Sequence, residues 1–443
     1  MALITGCQTY DPKPLDLQLH SQQWYERTPS SEDVEKFIHR LKDADSSQGD
    51  SFDPSDGLTL KEGEVVSLVF NPDLRMARLR AKISEAKAPF AGLWQDPTFN
   101  LNILKITESI PDPWYISSSL SLTIPISGRL KAEKSLAAAE VVAQWQQVAE
   151  TEWNVLRKLR ESWLSWSALK LKKDQTEEIV HQLEQIVETT QLLADAGELL
   201  KTESLLFVIE RDSRRAELDQ LIAVLSESEQ NVRSLLGLSP EAPLELHPAK
   251  NIQAGNFEDA LSADRSPTLV RLQQDYEVAE NVLLREIRKQ YPDLTIGPQA
   301  ETDAGQSRIG FVGGIPLPII NSNKGGIAEA KAQRELSQAA YETAFERLTG
   351  KLNALHARIM GIESRRSMME TTIVPMIDQQ VSDAYRLLEL GEGGALVLLE
   401  SLVRAFEMKL KLIDTQLEAD LTYNEIQFIV GPSTIEHRFT PIY

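Results

Sequence analysis

The side chains best placed to do chemistry are carboxylates around two glycine turns. Asp195, Glu198 and Glu203 flank Gly197, and Glu389 and Glu392 flank Gly391. Carboxylates brought to one axis would favour cations and could gate by repulsion or by bridging. The bland alternative is a set of solvated helix ends. Little else in the chain is reactive. No phosphate-cradling glycine loop, GxSxG or HExxH occurs. The histidines, at 20, 39, 181, 247, 356 and 437, are scattered without ligand spacing. The expectation is a protein that is not an enzyme, with no catalytic residue, no cofactor and no metal site. Met360, Met368, Met369 and Met376 could line a soft-metal path. Packing in a helical seam is the simpler reading, because Met fills irregular gaps. The same holds for Trp145, Trp153, Trp163 and Trp166, which sit at seam spacing rather than as a ligand cage.

Composition narrows the class further. The chain has 443 residues, with 66 acidic against 46 basic side chains and a net charge of −20. Phosphate binding needs clustered Lys and Arg, so nucleic acid is an unsuitable partner. An acidic surface or lumen that attracts cations fits instead. No run of ~18 apolar residues is present, so no transmembrane helix is expected. The single cysteine, Cys7, follows Ile4-Thr5-Gly6. Small residues before a Cys resemble the end of a bacterial lipoprotein signal, although no basic and apolar regions precede it here. The expectation is a lipid on Cys7; the alternative is a free thiol near a disordered end.

The elements that position these residues come twice. Asn71-Pro72-Asp73-Leu74 returns as Ser266-Pro267-Thr268-Leu269, and Pro97 as Pro292. Ile124-Pro125-Ile126 returns as Leu317-Pro318-Ile319, and Leu236-Gly237 as Val430-Gly431. The offset of about 195 residues is far longer than a solenoid repeat, so each half is one structural unit. Residues 1–57 read as an anchor and polar tether with one short helix near 31–43. Residues 58–237 form the first repeat, 238–265 a linker, 266–431 the second repeat and 432–443 a tail.

Within each repeat the hydrophobic period changes from helix to strand and back. A helix is expected over about 72–93, with its counterpart starting at Pro267, since Pro suits a first helical turn. Strands follow at about 98–106 and 115–124, then at about 294–300 and 308–317. In the second strand Ile116, Ser118, Leu120, Leu122 and Ile124 alternate with Ser117, Ser119, Ser121 and Thr123. In the fourth, Ile309, Phe311, Ile315 and Leu317 alternate with Arg308, Gly310, Val312 and Gly314. Such alternation makes one apolar face and one small or polar face. A two-layer α+β sheet gives the same signal, but Ser, Thr and Gly suit a wet lumen better than a packed core.

Long helices are expected over about 130–194 and 326–390. Tyr341, Phe345, Leu348, Leu352, Leu355, Ile359 and Ile362 make a heptad seam on the second. A helix of this length spans ~100 Å at 1.5 Å per residue. Gly197 and Gly391 then form tip turns, since glycine accepts the left-handed cap that ends a helix. Helices return over 199–236 and 395–430.

Four strands cannot close a barrel, and open edges are not tolerated in lipid. Three chains would supply twelve strands, enough to close around water. The expected fold is therefore mainly α with membrane β. A duplicated helix-strand-strand-long helix-helix unit builds a trimeric 12-stranded β-barrel continued by an α-helical barrel.

This pattern resembles the TolC-like outer-membrane efflux proteins, and within them the lipoprotein channels of heavy-metal and drug efflux pumps. The resemblance runs from about Leu58 to Gly431. It rests on Leu58-Thr59-Leu60 leading to Asn71-Pro72-Asp73-Leu74, Trp94 before Asp96-Pro97-Thr98, Leu317-Pro318-Ile319 before Asn321, Lys324 and Gly325, and the two tip glycines. Asn321-Ser322-Asn323-Lys324-Gly325 leans toward the metal-cation branch. The resemblance implies a homotrimer in the outer membrane that reaches into the periplasm and docks a periplasmic adaptor and an inner-membrane pump. It places the lipid anchor on Cys7. The acids at the tip turns, Asp195, Glu198, Glu389 and Glu392, would then ring a periplasmic aperture, the alternative being solvated helix ends. One departure is a longer run from Gly197 to Ile209-Glu210 than from Gly391 to Leu399-Glu400. The competing reading is a lipid-tethered periplasmic coiled-coil adaptor or scaffold without a pore. The parallel repetition of strand pairs speaks against it.

Overall fold

The computed structural model describes residues 10–44, 52–249, 263–303, 305–390 and 394–431. Its first helices are α1 (Leu17–Tyr25), α2 (Glu32–Ala44), α3 (Leu60–Phe70) and α4 (Pro72–Lys87). Strands β1 (Thr98–Lys105) and β2 (Trp114–Ile124) follow, then α5 (Arg129–Ala196) and α6 (Lys201–Leu236). The order recurs as α7 (Pro267–Arg288), β3 (Leu294–Asp303), β4 (Gln306–Gly314), α8 (Lys324–Met368), α9 (Val374–Glu389) and α10 (Ala395–Val430).

Several boundaries differ from expectation, and proline explains most of them. The helix expected to reach residue 93 stops at Lys87 and tightens into a 3-10 turn, Ala88–Phe90. Pro89 has no N–H for the next helical bond. Strand β4 ends at Gly314 rather than at residue 317, since Pro316 and Pro318 cannot donate to a ladder. The second long helix is not continuous. A π turn, Met369–Ile373, separates α8 from α9 directly before Pro375. The missing Pro375 N–H and its ring would conflict with the carbonyl of Thr371, and the wider turn relieves that conflict.

The described residues fall into two compact units. One draws on Met1–Pro72, Val155–Gln253 and Ile359–Asn424. Its first core joins Leu58, Val66 and Phe70 to Leu159, Trp163, Trp166, Val232 and Leu236. Thr59 caps α3 in a reciprocal box with Glu62. Part of the expected tether is ordered here. Val34 of α2 is fully buried in this core, and Arg27 donates to the Gly237 carbonyl at 3.1 Å while stacking over Phe70. The other unit draws on Asp73–Asn154, Ala254–Arg358 and Glu425–Tyr443 and contains the sheet.

Each repeat is closed by one kind of contact. Gly237 ends α6 at φ +76°, and an added Cβ would lie 2.2 Å from the Phe70 carbonyl oxygen, just ahead of Asn71-Pro72. Gly431 follows α10 at φ +86°, and its Cβ would lie 2.3 Å from the Arg265 carbonyl oxygen, just ahead of Ser266-Pro267. Only glycine combines that backbone with that approach. Asn71 and Ser67 add hydrogen bonds to the Leu235 carbonyl, both at 2.9 Å. Gly237→Ala is therefore expected to cost at least ~2 kcal/mol, from the left-handed backbone and the clash together. Gly197→Ala, also left-handed but in open space, should cost about half as much. Thermal unfolding of both variants checks the order; equal melting temperatures would contradict it.

Candidate channel wall and tip turns

The sheet has the order β1-β2-β3-β4, antiparallel throughout. The register decides what each face carries. Phe99 pairs with Leu120, Leu101 with Ser118 and Ile103 with Ile116. Leu122 pairs with Ile296 and Ser118 with Ala300; Ala300 pairs with Ile309 and Pro298 with Phe311. Directly opposed residues share a face, so these side chains make one continuous apolar surface. It is open: Ile309 is 90% exposed and Phe311 82%.

The opposite face is polar across all four strands. Asn100 sits opposite Ser119, Asn102 opposite Ser117, Thr123 opposite Thr295, and Glu301 opposite Arg308. Side chains bridge the strands. Tyr115 donates to Glu301 at 3.1 Å, Arg308 to the same carboxylate at 3.3 Å, and the Thr123 and Thr295 hydroxyls meet at 3.2 Å. Leu104 and Val312 are the apolar exceptions on this face. Among the described residues, β1 and β4 each leave one edge without a partner strand.

Polar pins fix the chain where the strands meet the helices. Asp293, just ahead of β3, accepts from Ser127 at 2.9 Å and from Arg129, the first residue of α5, at 3.2 Å. Near the start of α8, Asn323 donates to the Glu286 backbone carbonyl at 2.8 Å and to its carboxylate at 2.9 Å. Asn323 and Ser322 are both left-handed, at φ +54° and +45°, a conformation Asn tolerates better than most residues. Burial works to raise the Glu286 carboxyl. Hydrogen bonds from Lys289, Asn323 and Arg285 outweigh it and hold the group at about 2.

The first tip turn has the expected geometry. α5 ends at Ala196, Gly197 has φ +79°, and Glu198 N–H donates to the Leu193 carbonyl at 2.9 Å. A bond from the second residue past the cap back to that carbonyl is a Schellman closure. Asp195 and Glu198 are exposed, as are Leu192 and Leu200. Glu203 lies in the first turn of α6. Glu389 is the last residue of α9, while Glu392 and Gly391 lie outside the described residues, as does Cys7. The two hairpins share one core. Ile179, Leu183 and Val187 of α5 and Phe207 of α6 pack with Ala384 of α9 and Leu398, Leu402 and Phe406 of α10.

Sequence reasoning missed the Glu286–Asn323 pin, although Asn323 stood inside a run already singled out. The methionines also fall differently from the seam reading. Met369 is buried and accepts from the Thr415 hydroxyl, whereas Met360, Met368 and Met376 are exposed. The tryptophans at 163 and 166 are buried in the seam as expected. Among the described residues, no cluster of three or more His, Cys, Asp or Glu could hold a metal ion, and no helix is long and apolar enough to cross a membrane.

A strand pair from each of two repeats in one sheet, joined to long helical hairpins, is the fold of outer-membrane channels of the efflux type. The chain superimposes on CusC, whose structures concern folding and transmembrane channel formation, with a TM-score of 0.72 at 15% identity, over 84% of this chain and 92% of that one. The outer membrane protein VceC of Vibrio cholerae gives 0.71 at 16% identity, over 84% and 96%. The outer-membrane channel OprN gives 0.71 at 14%, over 96% and 98%. In sequence the chain is 22% identical over 229 residues to the cobalt-zinc-cadmium resistance protein CzcC of Cupriavidus metallidurans. That match takes in 49% of this chain and 53% of CzcC, so it spans about half the length of the curated relative. No protein-family model matches the chain.

The Glu286 pin makes stability depend on pH with a defined sign. A carboxyl held at about 2 instead of 4.5 stabilises the fold fully above the unfolded value, and that stabilisation is lost as pH falls from 4.5 toward 2. Glu286→Gln is expected to unfold more easily at neutral pH and to flatten the stability profile between those values. Denaturant midpoints at stepped pH check this; a parallel profile for the variant would contradict it.

Proposed function

We propose that the chain is one protomer of a trimeric outer-membrane duct in a tripartite efflux system, a passive route for small molecules or metal cations across periplasm and outer membrane. The observation that carries this reading is the sheet: an exposed apolar face, a hydrogen-bonded polar face and two open edges. Lipid takes the first, water the second, and neighbouring copies take the edges. Three copies give twelve strands, enough for an open lumen. The fold likeness to outer-membrane channels supports the same placement. A scaffold without a pore leaves the apolar face and the edges without partners.

A periplasmic adaptor and an inner-membrane pump are the partners this reading requires, since a passive duct supplies no energy and selects little. Metal cations are the favoured cargo. The net charge of −20 and the likeness to a cobalt-zinc-cadmium resistance protein both support them. Asp195, Glu198, Glu389 and Glu392 would line the narrow periplasmic end, and opening would need a partner that binds the open state better. Cys7 would carry the lipid anchor.

Three outcomes are expected. Native mass measurement in detergent should give a species of three chains; a detergent-free monomer would contradict the reading. Mass spectrometry of the mature protein should find acylated Cys7, and an unmodified Cys7 would remove the anchor. In planar bilayers the trimer should show small, cation-preferring conductance. Asp195→Asn, Glu198→Gln, Glu389→Gln and Glu392→Gln together should weaken that preference and raise conductance. Unchanged selectivity would reduce these acids to solvated helix ends.

A further inference from the structure

The two ends of the sheet differ in a way that the channel reading does not require. At the hairpin end, the β1–β2 loop carries exposed Glu108, Ser109 and Asp112. At the helix end, the four connections to helices carry large apolar side chains that the described residues leave mostly exposed. Trp94 is 55% exposed, Ile126 61%, Tyr291 57%, and Leu317, Ile319 and Ile320 are 71%, 82% and 87% exposed. All lie in the unit that holds the sheet.

The connection after β4 stands out. Its counterpart after β2 spans only residues 125–128, whereas this one spans residues 315–323. The added length is the apolar run Ile315-Pro316-Leu317-Pro318-Ile319-Ile320. A water-exposed loop gains nothing from such residues. Irregular backbone is equally unsuited to the hydrocarbon core, where each unpaired N–H or carbonyl costs several kcal/mol. This segment reduces that cost. Pro316 and Pro318 have no N–H, Ile319 donates to the Leu317 carbonyl at 2.9 Å, and the Ser322 hydroxyl donates to the Pro318 carbonyl. The N–H groups of Ile315, Leu317 and Ile320 and the carbonyls of Ile315, Pro316, Ile319 and Ile320 still need water, which the headgroup boundary supplies and the hydrocarbon core does not.

Length points the same way. β1 has 8 residues, which at ~3.3 Å each and a tilt of ~40° cover about 20 Å along the membrane normal. An apolar band of ~25 Å is typical; β2 and β3, with 11 and 10 residues, reach it, whereas β1 and β4, with 8 and 9, fall short, and β4 is the strand that runs into Ile315. Trp and Tyr prefer the headgroup boundary, and Trp94 and Tyr291 stand just before β1 and β3.

We propose that the helix-end connections, led by Ile315–Ile320, form an apolar collar seated in the headgroup boundary of the leaflet nearest the helices, so that the bilayer grips the protein below its strands. The collar sets how deep the barrel sits. This rests on the barrel reading, and the occupant is lipid: the collar is continuous with the sheet's apolar face.

Because the chain has one cysteine, site-directed nitroxide labels test it cleanly. In the full-length Cys7→Ser protein reconstituted in phosphatidylethanolamine–phosphatidylglycerol vesicles, single labels are placed at Phe311→Cys, Ile319→Cys and Glu108→Cys. Collision with oxygen, which enters lipid, is compared with collision with a water-soluble nickel chelate. The expected oxygen-to-nickel ratio at position 319 is several-fold above that at 108 and below that at 311. A ratio at 319 equal to that at 108 would put the connection in water and overturn the collar. Protection of 319 from both reagents would also overturn it, since a second copy would then cover the segment. If position 311 itself preferred nickel, the barrel reading would fail and the collar with it.

Discussion

A four-stranded sheet with one apolar face turned outward and both edges open cannot be a finished structure in water. Phe99, Leu101, Ile103, Ile116, Leu120, Ile296, Ile309 and Phe311 all stand exposed on that face. Fully burying a large apolar side chain is worth ~1.5–3 kcal/mol, so these eight, 42–90% exposed, leave roughly 7–14 kcal/mol unclaimed. That is comparable to the whole stability of an ordinary domain, ~5–15 kcal/mol. The edges add unpaired backbone groups, which lipid punishes and neighbouring strands satisfy. Lipid on one face, water on the other and more strands at both edges answer all three demands together.

The helical parts supply rigidity to that arrangement. Each repeat ends with a glycine that lies against the backbone just before the proline opening α4 or α7, Pro72 in one and Pro267 in the other. A duplicated chain thus uses one closure twice. The pins at Asp293 and Glu286 hold the starts of α5 and α8 to elements of the second repeat. Charged, part-buried hydrogen bonds are directional in a way that apolar packing is not. They suit the point where a strand gives way to a helix.

Much of this was legible because period and punctuation are local. The alternation of Ile116 to Ile124 fixed both a strand and its faces, and Gly197 marked the tip turn where the Schellman bond now closes. Strand order was not legible. The pairing of β2 with β3 joins residues of different repeats, and no local pattern encodes it. Pro375 did signal the π turn, but a heptad seam running through Ile362 masked it. The Glu286–Asn323 pin needed two left-handed residues to aim one amide at a side chain 37 positions away. Met376 shows the limit of spacing arguments, since it keeps the seam's step from Ile362 through Met369 yet stands exposed beyond the π turn.

Closure of the sheet on other copies is the central claim, and it can be measured directly. Asn100→Cys on β1 and Gly310→Cys on β4 are introduced together into the Cys7→Ser protein in membranes. They are treated with a bis-maleimide too short to span the three strand spacings, ~14 Å, that separate β1 from β4 within one chain. A closed trimeric barrel predicts covalent species of two and three chains and nothing larger. Product confined to single chains, or a ladder that runs on past three, would contradict it.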